Sequence, residues 1–177
     1  RYLRDNRLEA EIERRFRTVS LADHDAIIRA TGELQELILA CEVPADIAAE
    51  IEAALERHGL GDGPLAVRSS ALAEDGHISF AGQYASELDV RPEDVLAAYK
   101  RVLAGKYCPR AVAYRIRHGL SDNDTAMAVL VLPMVEASAA GVAYTRDPAC
   151  SAVGGKAVGV YVVGGVAAEL VDGSATP

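Results

Sequence analysis

The spacing of apolar residues changes character near residue 60. Before that point they recur every three or four positions: Leu8, Ile12 and Phe16, then Leu34, Leu37, Ile38 and Cys41, then Ile47, Ile51 and Leu55. Side chains three and four apart share one face of an α-helix, so each set predicts a helix with a single apolar stripe. Pro44 precedes the last of these helices, and Gly59 stands where its C-cap belongs. Arg1 to Arg17 is dense in both charge signs, and its weaker stripe predicts a solvated helical hairpin. Gly61-Asp62-Gly63-Pro64 is a turn signal that closes the helical part.

Short apolar runs then replace the helical period. Leu65 to Ser69 and Tyr84 to Val90 predict strands on either side of a polar loop. Pro92 predicts a helix start, since proline fits the first turn and the carboxylates of Glu93 and Asp94 suit the positive end of the helix dipole. Val95, Tyr99, Val102 and Leu103 form its expected buried face, and Gly105 its end. Pro109 to His118 predicts a more basic helix, with Arg110, Arg115 and Arg117 on a solvated face. Ala126 to Val135 is continuously apolar, as expected of a strand covered on both faces. Gly141 to Thr145 follows closely and predicts a hairpin with it; Ala157 to Val163 and Glu169 to Val171 predict further strands. The expected class is α+β, with a helical subdomain over residues 1–62 and an α/β subdomain over residues 63–177. The second part is expected to carry a mostly antiparallel sheet, with strands after Gly63 in at least four segments.

Composition narrows the function more than the fold. A chain of 177 residues, 50% apolar and 25% charged, fits one domain or two small ones. A formal net charge of -8 argues against a nucleic-acid partner, which calls for a Lys/Arg surplus, though it permits a local basic pocket. Cys41, Cys108 and Cys150 are odd in number and far apart, so a reducing compartment is expected. The longest apolar run is too short to span a bilayer, and no signal peptide is visible; no membrane partner and a cytoplasmic location are the expectations. The first residue is Arg1, which leads us to expect a piece of a longer protein.

Arg68 is the candidate that stands out. It follows Leu65-Ala66-Val67 at the end of an apolar strand, where a charge must be paired, solvated or bound to an anion. Its planar fork suits phosphate oxygens, and Ser69, Ser70, Ser79, Gly82 and Ser86 supply hydroxyls and a point where backbone could approach a phosphate. The alternative is that Arg68 pairs with Glu74 or Asp75 and pins the loop. His24, His58, His77 and His118 show no metal-ligand spacing, Asp147 fits an ordinary Asp-Pro turn, and Gly154-Gly155-Lys156 lacks the rest of a Walker motif.

Several motifs occur together in one order: AVRSSALAED from Ala66, SFAGQ from Ser79, AVAYRIRHG from Ala111, MAVLVLPMV from Met127, GVAYTRDP from Gly141 and ELVDGSATP at the end. This set resembles the N-terminal nucleotide-binding domain of the phosphoenolpyruvate synthase and pyruvate phosphate dikinase family, the PEP/pyruvate-binding domain with an ATP-grasp fold. The resemblance is strongest from Leu65 to Pro148. It implies ATP with Mg²⁺ and phosphorylation of a histidine on a separate swivelling domain, for transfer to pyruvate or another acceptor. It also implies that Arg68 contacts ATP phosphates, and that Gly82 and Ser86 belong to a loop closing over them. In that reading the loop from Ala71 to Ala81 is a mobile lid.

The sequence also departs from the family pattern. Leu132 stands where the family carries an adenine-side glutamine, and Ala168 where it carries a glutamate, with Glu169 one place along. The loop between Glu74 and Ser79 is one residue shorter than usual. A lysine-bearing glycine-rich segment and later charged residues of the family lie outside residues 1–177, so turnover by these residues alone is not expected. Two readings follow. One is the ATP-binding part of a dikinase-type phosphotransferase; the other is a degenerate relative serving as a regulatory or interaction module.

Overall fold

The computed structural model describes residues 1–17, 19–72, 84–145, 158–168 and 170. It forms two compact units, Arg1–Met134 and Val135–Pro177. As expected, the first sixty residues build helices: α1 (Tyr2–Asp5), α2 (Glu9–Arg17), α3 (His24–Ala40) and α4 (Ala45–Arg57). Asp23 caps α3, its carboxylate accepting from the Ala26 amide at 2.8 Å and satisfying a donor the helix itself cannot use. The predicted stripes meet in one core, except at Leu55, which packs in a second cluster with Leu65 and Val67. Leu34 and Ile38 are fully buried beside Leu8, Ile12, Ile47, Tyr107 and Val112, with Phe16, Leu37, Cys41 and Ile51 packed against them.

The expected solvated hairpin at Arg1–Arg17 needs correction. Tyr2, Leu8 and Ile12 belong to this core, and the Tyr2 hydroxyl donates to the carbonyls of Ile38 at 2.7 Å and Cys41 at 3.1 Å. One buried residue per turn suffices to dock α2, while its charges pair outside, Arg14 and Arg15 both donating to Glu11. The stripe was visible, but the charge around it argued wrongly for solvation.

Three strands complete the first unit: β1 (Leu65–Ala71), β2 (Ser86–Val90) and β3 (Met127–Pro133). They pair antiparallel in the order β2-β1-β3. A 3₁₀ turn at Pro92–Asp94 leads into α5 (Val95–Gly105), and α6 (Pro109–Arg117) follows. Leu65, Val67 and Val90 bury one face of the sheet against Val95, Ala98 and Val102 of α5, with Met127, Val129 and Val131 packed alongside. β3 is therefore covered on one face, not two. Its burial alternates, and Leu130 and Leu132 remain 46% and 39% exposed. A continuous apolar run cannot distinguish a strand between two layers from one whose second face waits for a partner or ligand.

The second unit holds β4 (Ala139–Tyr144) and β5 (Gly159–Gly164), paired antiparallel with Val142 opposite Tyr161. The predicted β3–β4 hairpin does not form; β3 instead takes the free edge of β1, where Met127, Val129 and Val131 complete the layer under α5. The predicted strand at Glu169–Val171 is also revised, since Leu170, the described residue of that run, is helical. Among the described residues no helix is long and apolar enough to cross a membrane.

α5 holds the start of β2 by direct contact. A Cβ built on Gly105 would meet the Cβ of Ala85 at 2.9 Å, closer than methyl groups tolerate. Gly105→Ala should destabilise by about 1–2 kcal/mol, since overpacking (about 1–3 kcal/mol) outweighs the helix-propensity gain of at most about 1 kcal/mol. A urea melt would check this; a stabilised variant would mean Ala85 retreats freely.

Candidate functional site

Strand alternation sorts the sheet into two chemically different faces. Leu65, Val67 and Ser69 point with Val131 and Val129 toward α5, so Ala66, Arg68 and Ser70 point the other way. On that open face Arg68 lies directly opposite Leu130 of β3 and Ser86 of β2, and Ala66 opposite Leu132. Directly paired side chains begin about 5 Å apart at Cβ, so the guanidinium, the Ser86 hydroxyl and the Leu130 side chain share one patch. Leu88 adds a third leucine, 40% exposed. Arg68 is exposed and forms no ion pair with any described carboxylate.

The sequence-predicted site residues thus fare differently. Arg68 and Ser86 are brought together. Leu132 lies one rung further along the same face. Gly82 lies outside the described residues, as do the alternative partners Glu74 and Asp75, the bulk of the Ala71–Ala81 loop, and also His77, Asp147 and Lys156. Ala168 is helical and exposed in the second unit. Arg68 lines neither of two cavities in the first unit, of about 540 Å³ and 750 Å³.

The open face sets one exposed cation beside an apolar surface. A guanidinium fork with neighbouring hydroxyls suits phosphate oxygens, and the leucines beside it offer an apolar surface for a base. Among the described residues no three His, Cys, Asp or Glu side chains are grouped to hold a metal ion, so no Mg²⁺ ligand set is read from them.

A second cluster escaped the sequence reading. Arg115, expected on a solvated helix face, is 4% exposed, as is Lys106. Both reach Asp122: Lys106 Nζ at 2.9 Å and Arg115 Nη1 at 2.6 Å to Oδ1, while the Tyr107 hydroxyl donates to Oδ2 at 3.0 Å. Arg115 also sits over the Tyr107 ring, 5.1 Å from its centroid, and Phe16 stacks on that ring at 6.3 Å. Burial draws the Lys106 ammonium below its usual range, opposed by Asp122. Burial likewise pushes the Tyr107 phenol far up. Thr125, fully buried, donates to the Asp122 carbonyl at 3.2 Å just before β3. The network ties α5 and α6 to the start of β3. Asp122 lies in the polar run Ser121-Asp122-Asn123-Asp124, and only spatial convergence reveals its role.

Comparison with known proteins adds the family. A rifampicin phosphotransferase of Streptomyces sviceus is 38% identical over 173 residues, covering 96% of this chain and 19% of its own length. A phosphoenolpyruvate synthase of Deinococcus radiodurans is 36% identical over 151 residues, covering 82% of this chain and 19% of its own length. A probable phosphoenolpyruvate synthase of Methanothermobacter thermautotrophicus is 32% identical over 183 residues, covering 100% and 26% respectively. The chain therefore spans only about a fifth to a quarter of the relatives it matches. The pattern described as the pyruvate phosphate dikinase AMP/ATP-binding domain matches residues 1–177 from end to end. With its motifs, these relatives and this match over residues 1–177, the chain belongs to the AMP/ATP-binding domain family of pyruvate phosphate dikinase.

Proposed function

We propose that this chain is the ATP-binding part of a dikinase-type phosphotransferase with an ATP-grasp architecture, taking its nucleotide on the open face of the β2-β1-β3 sheet. The observation that supports it most is the pairing of Arg68 with Ser86 on a face that also exposes Leu88, Leu130 and Leu132. Arg68 holds phosphate oxygens through its fork, with the Ser86 hydroxyl beside it on β2 and Gly82, outside the described residues, as a further phosphate contact. Such groups act by orienting the phosphoryl chain and offsetting its charge, with no covalent bond to this domain. Mg²⁺ accompanies the nucleotide, held by groups outside those described here. The acceptor in this proposal is a histidine on a separate swivelling domain, which then serves pyruvate or another small molecule.

The experiment is a calorimetric titration of Mg-ATP into the full-length protein that carries this domain. Saturable heat is expected. No heat would leave the second reading, a regulatory or interaction module without ATP. That reading has its own support: Leu132 presents a hydrocarbon on the open face where the family pattern has a glutamine. Leu132→Gln is expected to tighten ATP binding roughly two- to tenfold, the yield of one net hydrogen bond. Unchanged affinity would mean the base does not reach this rung.

A further inference from the structure

Ser86 and Val90 lie four positions apart on β2 yet point to opposite faces. Val90 is 6% exposed in the core under α5, whereas Ser86 stands on the open face opposite Arg68. An unbroken strand would place residues 86, 88 and 90 on one side. The pairing accounts for the reversal. Leu65 faces Val90, but Val67 faces Glu87 and Arg68 faces Ser86, so Leu88 and Asp89 together span the single residue Ala66. Asp89 has φ of 53°, a left-handed conformation that aspartate accepts better than most side chains. This is a β-bulge, and one extra residue inverts the alternation beyond it.

The inversion matters for Arg68. With Val90 held in the core and no bulge, Arg68 would face Glu87 instead of Ser86, and a carboxylate would stand beside the guanidinium. With the bulge, Glu87 turns to the α5 side, where Arg101 Nε donates to its Oε2 at 2.9 Å. We propose that Asp89 is a positioning residue: its left-handed bulge keeps the Glu87 carboxylate off Arg68 and leaves that guanidinium open to an anionic ligand. The proposal rests on the reading of Arg68 as a phosphate contact, but the register it predicts can be read without any nucleotide.

Three variants of the full-length protein test it, each examined by cross-strand nuclear Overhauser contacts for register and by Mg-ATP titration for affinity. Asp89→Gly accepts positive φ and should keep both Arg68 opposite Ser86 and the affinity. Asp89→Val resists positive φ, so Arg68 should move opposite Glu87 and affinity should fall roughly tenfold or more, as a lost charge-assisted contact predicts. Adding Glu87→Gln to Asp89→Val should restore most of that affinity, because an amide does not neutralise Arg68; a purely structural role for the bulge predicts no rescue. An unchanged register in Asp89→Val, a slipped register with unchanged affinity, or a loss without rescue would each overturn the proposal. A wild type with this register and no ATP binding would instead sink the nucleotide reading of Arg68.

Discussion

Replacing Asp122 by alanine should destabilise the first unit by about 3 kcal/mol, the lower part of the range for breaking a buried ion pair. The reason is arithmetic of charge. Lys106 and Arg115 are almost wholly enclosed, and the Asp122 carboxylate is the anion that both contact. Without it two cations stay buried with no counter-charge, and the Tyr107 hydroxyl loses its acceptor. Asp122 itself is about a quarter exposed, so entering water softens the loss. Lys106→Met should cost much less, because it removes the excess positive charge while leaving the Arg115–Asp122 pair. Asp94→Ala, which breaks the exposed pair with Arg91, should cost under about 1 kcal/mol. Urea midpoints for the three variants give the ranking. An Asp122→Ala variant no weaker than Asp94→Ala would show that the network carries little stability.

Arg68→Ala should weaken Mg-ATP binding by roughly ten- to a hundredfold, corresponding to about 1.5–3 kcal/mol for a charge-assisted contact. Arg68→Lys should fall between, because it keeps the charge but loses the fork that grips two oxygens. Folding stability should hardly move, within about 0.5 kcal/mol, since the side chain is exposed and pairs with no described carboxylate. That contrast makes the result diagnostic. If Arg68 served to pin the loop, its loss would lower the melting temperature and leave affinity to fall only indirectly. Calorimetry and a thermal melt on the same preparation separate the two outcomes.

Helix positions were legible because they follow local rules. The stripes Leu34-Ile38 and Ile47-Ile51-Leu55 and the Pro92 entry turn each depend on neighbours within a few residues. Arg68 was conspicuous for a similar reason, since a charge closing an apolar run stands out whatever surrounds it; the strand itself runs on to Ala71, so Arg68 sits at the middle of β1 and not at its end. Partnership between distant segments was not legible. That β3 would pair with β1 rather than β4, and so leave Leu130 and Leu132 on an open face, depends on which sheet edge most gains from burying Met127, Val129 and Val131. That Arg115 would be enclosed depends on Asp122 arriving from another turn to compensate its charge. The parity of β2 is the sharpest case, because one left-handed residue at Asp89 decides whether Arg68 meets a hydroxyl or a carboxylate. Local periodicity sets which segments are helix or strand; only the closing of long-range contacts, where burial is set against charge and register, determines which side chains meet.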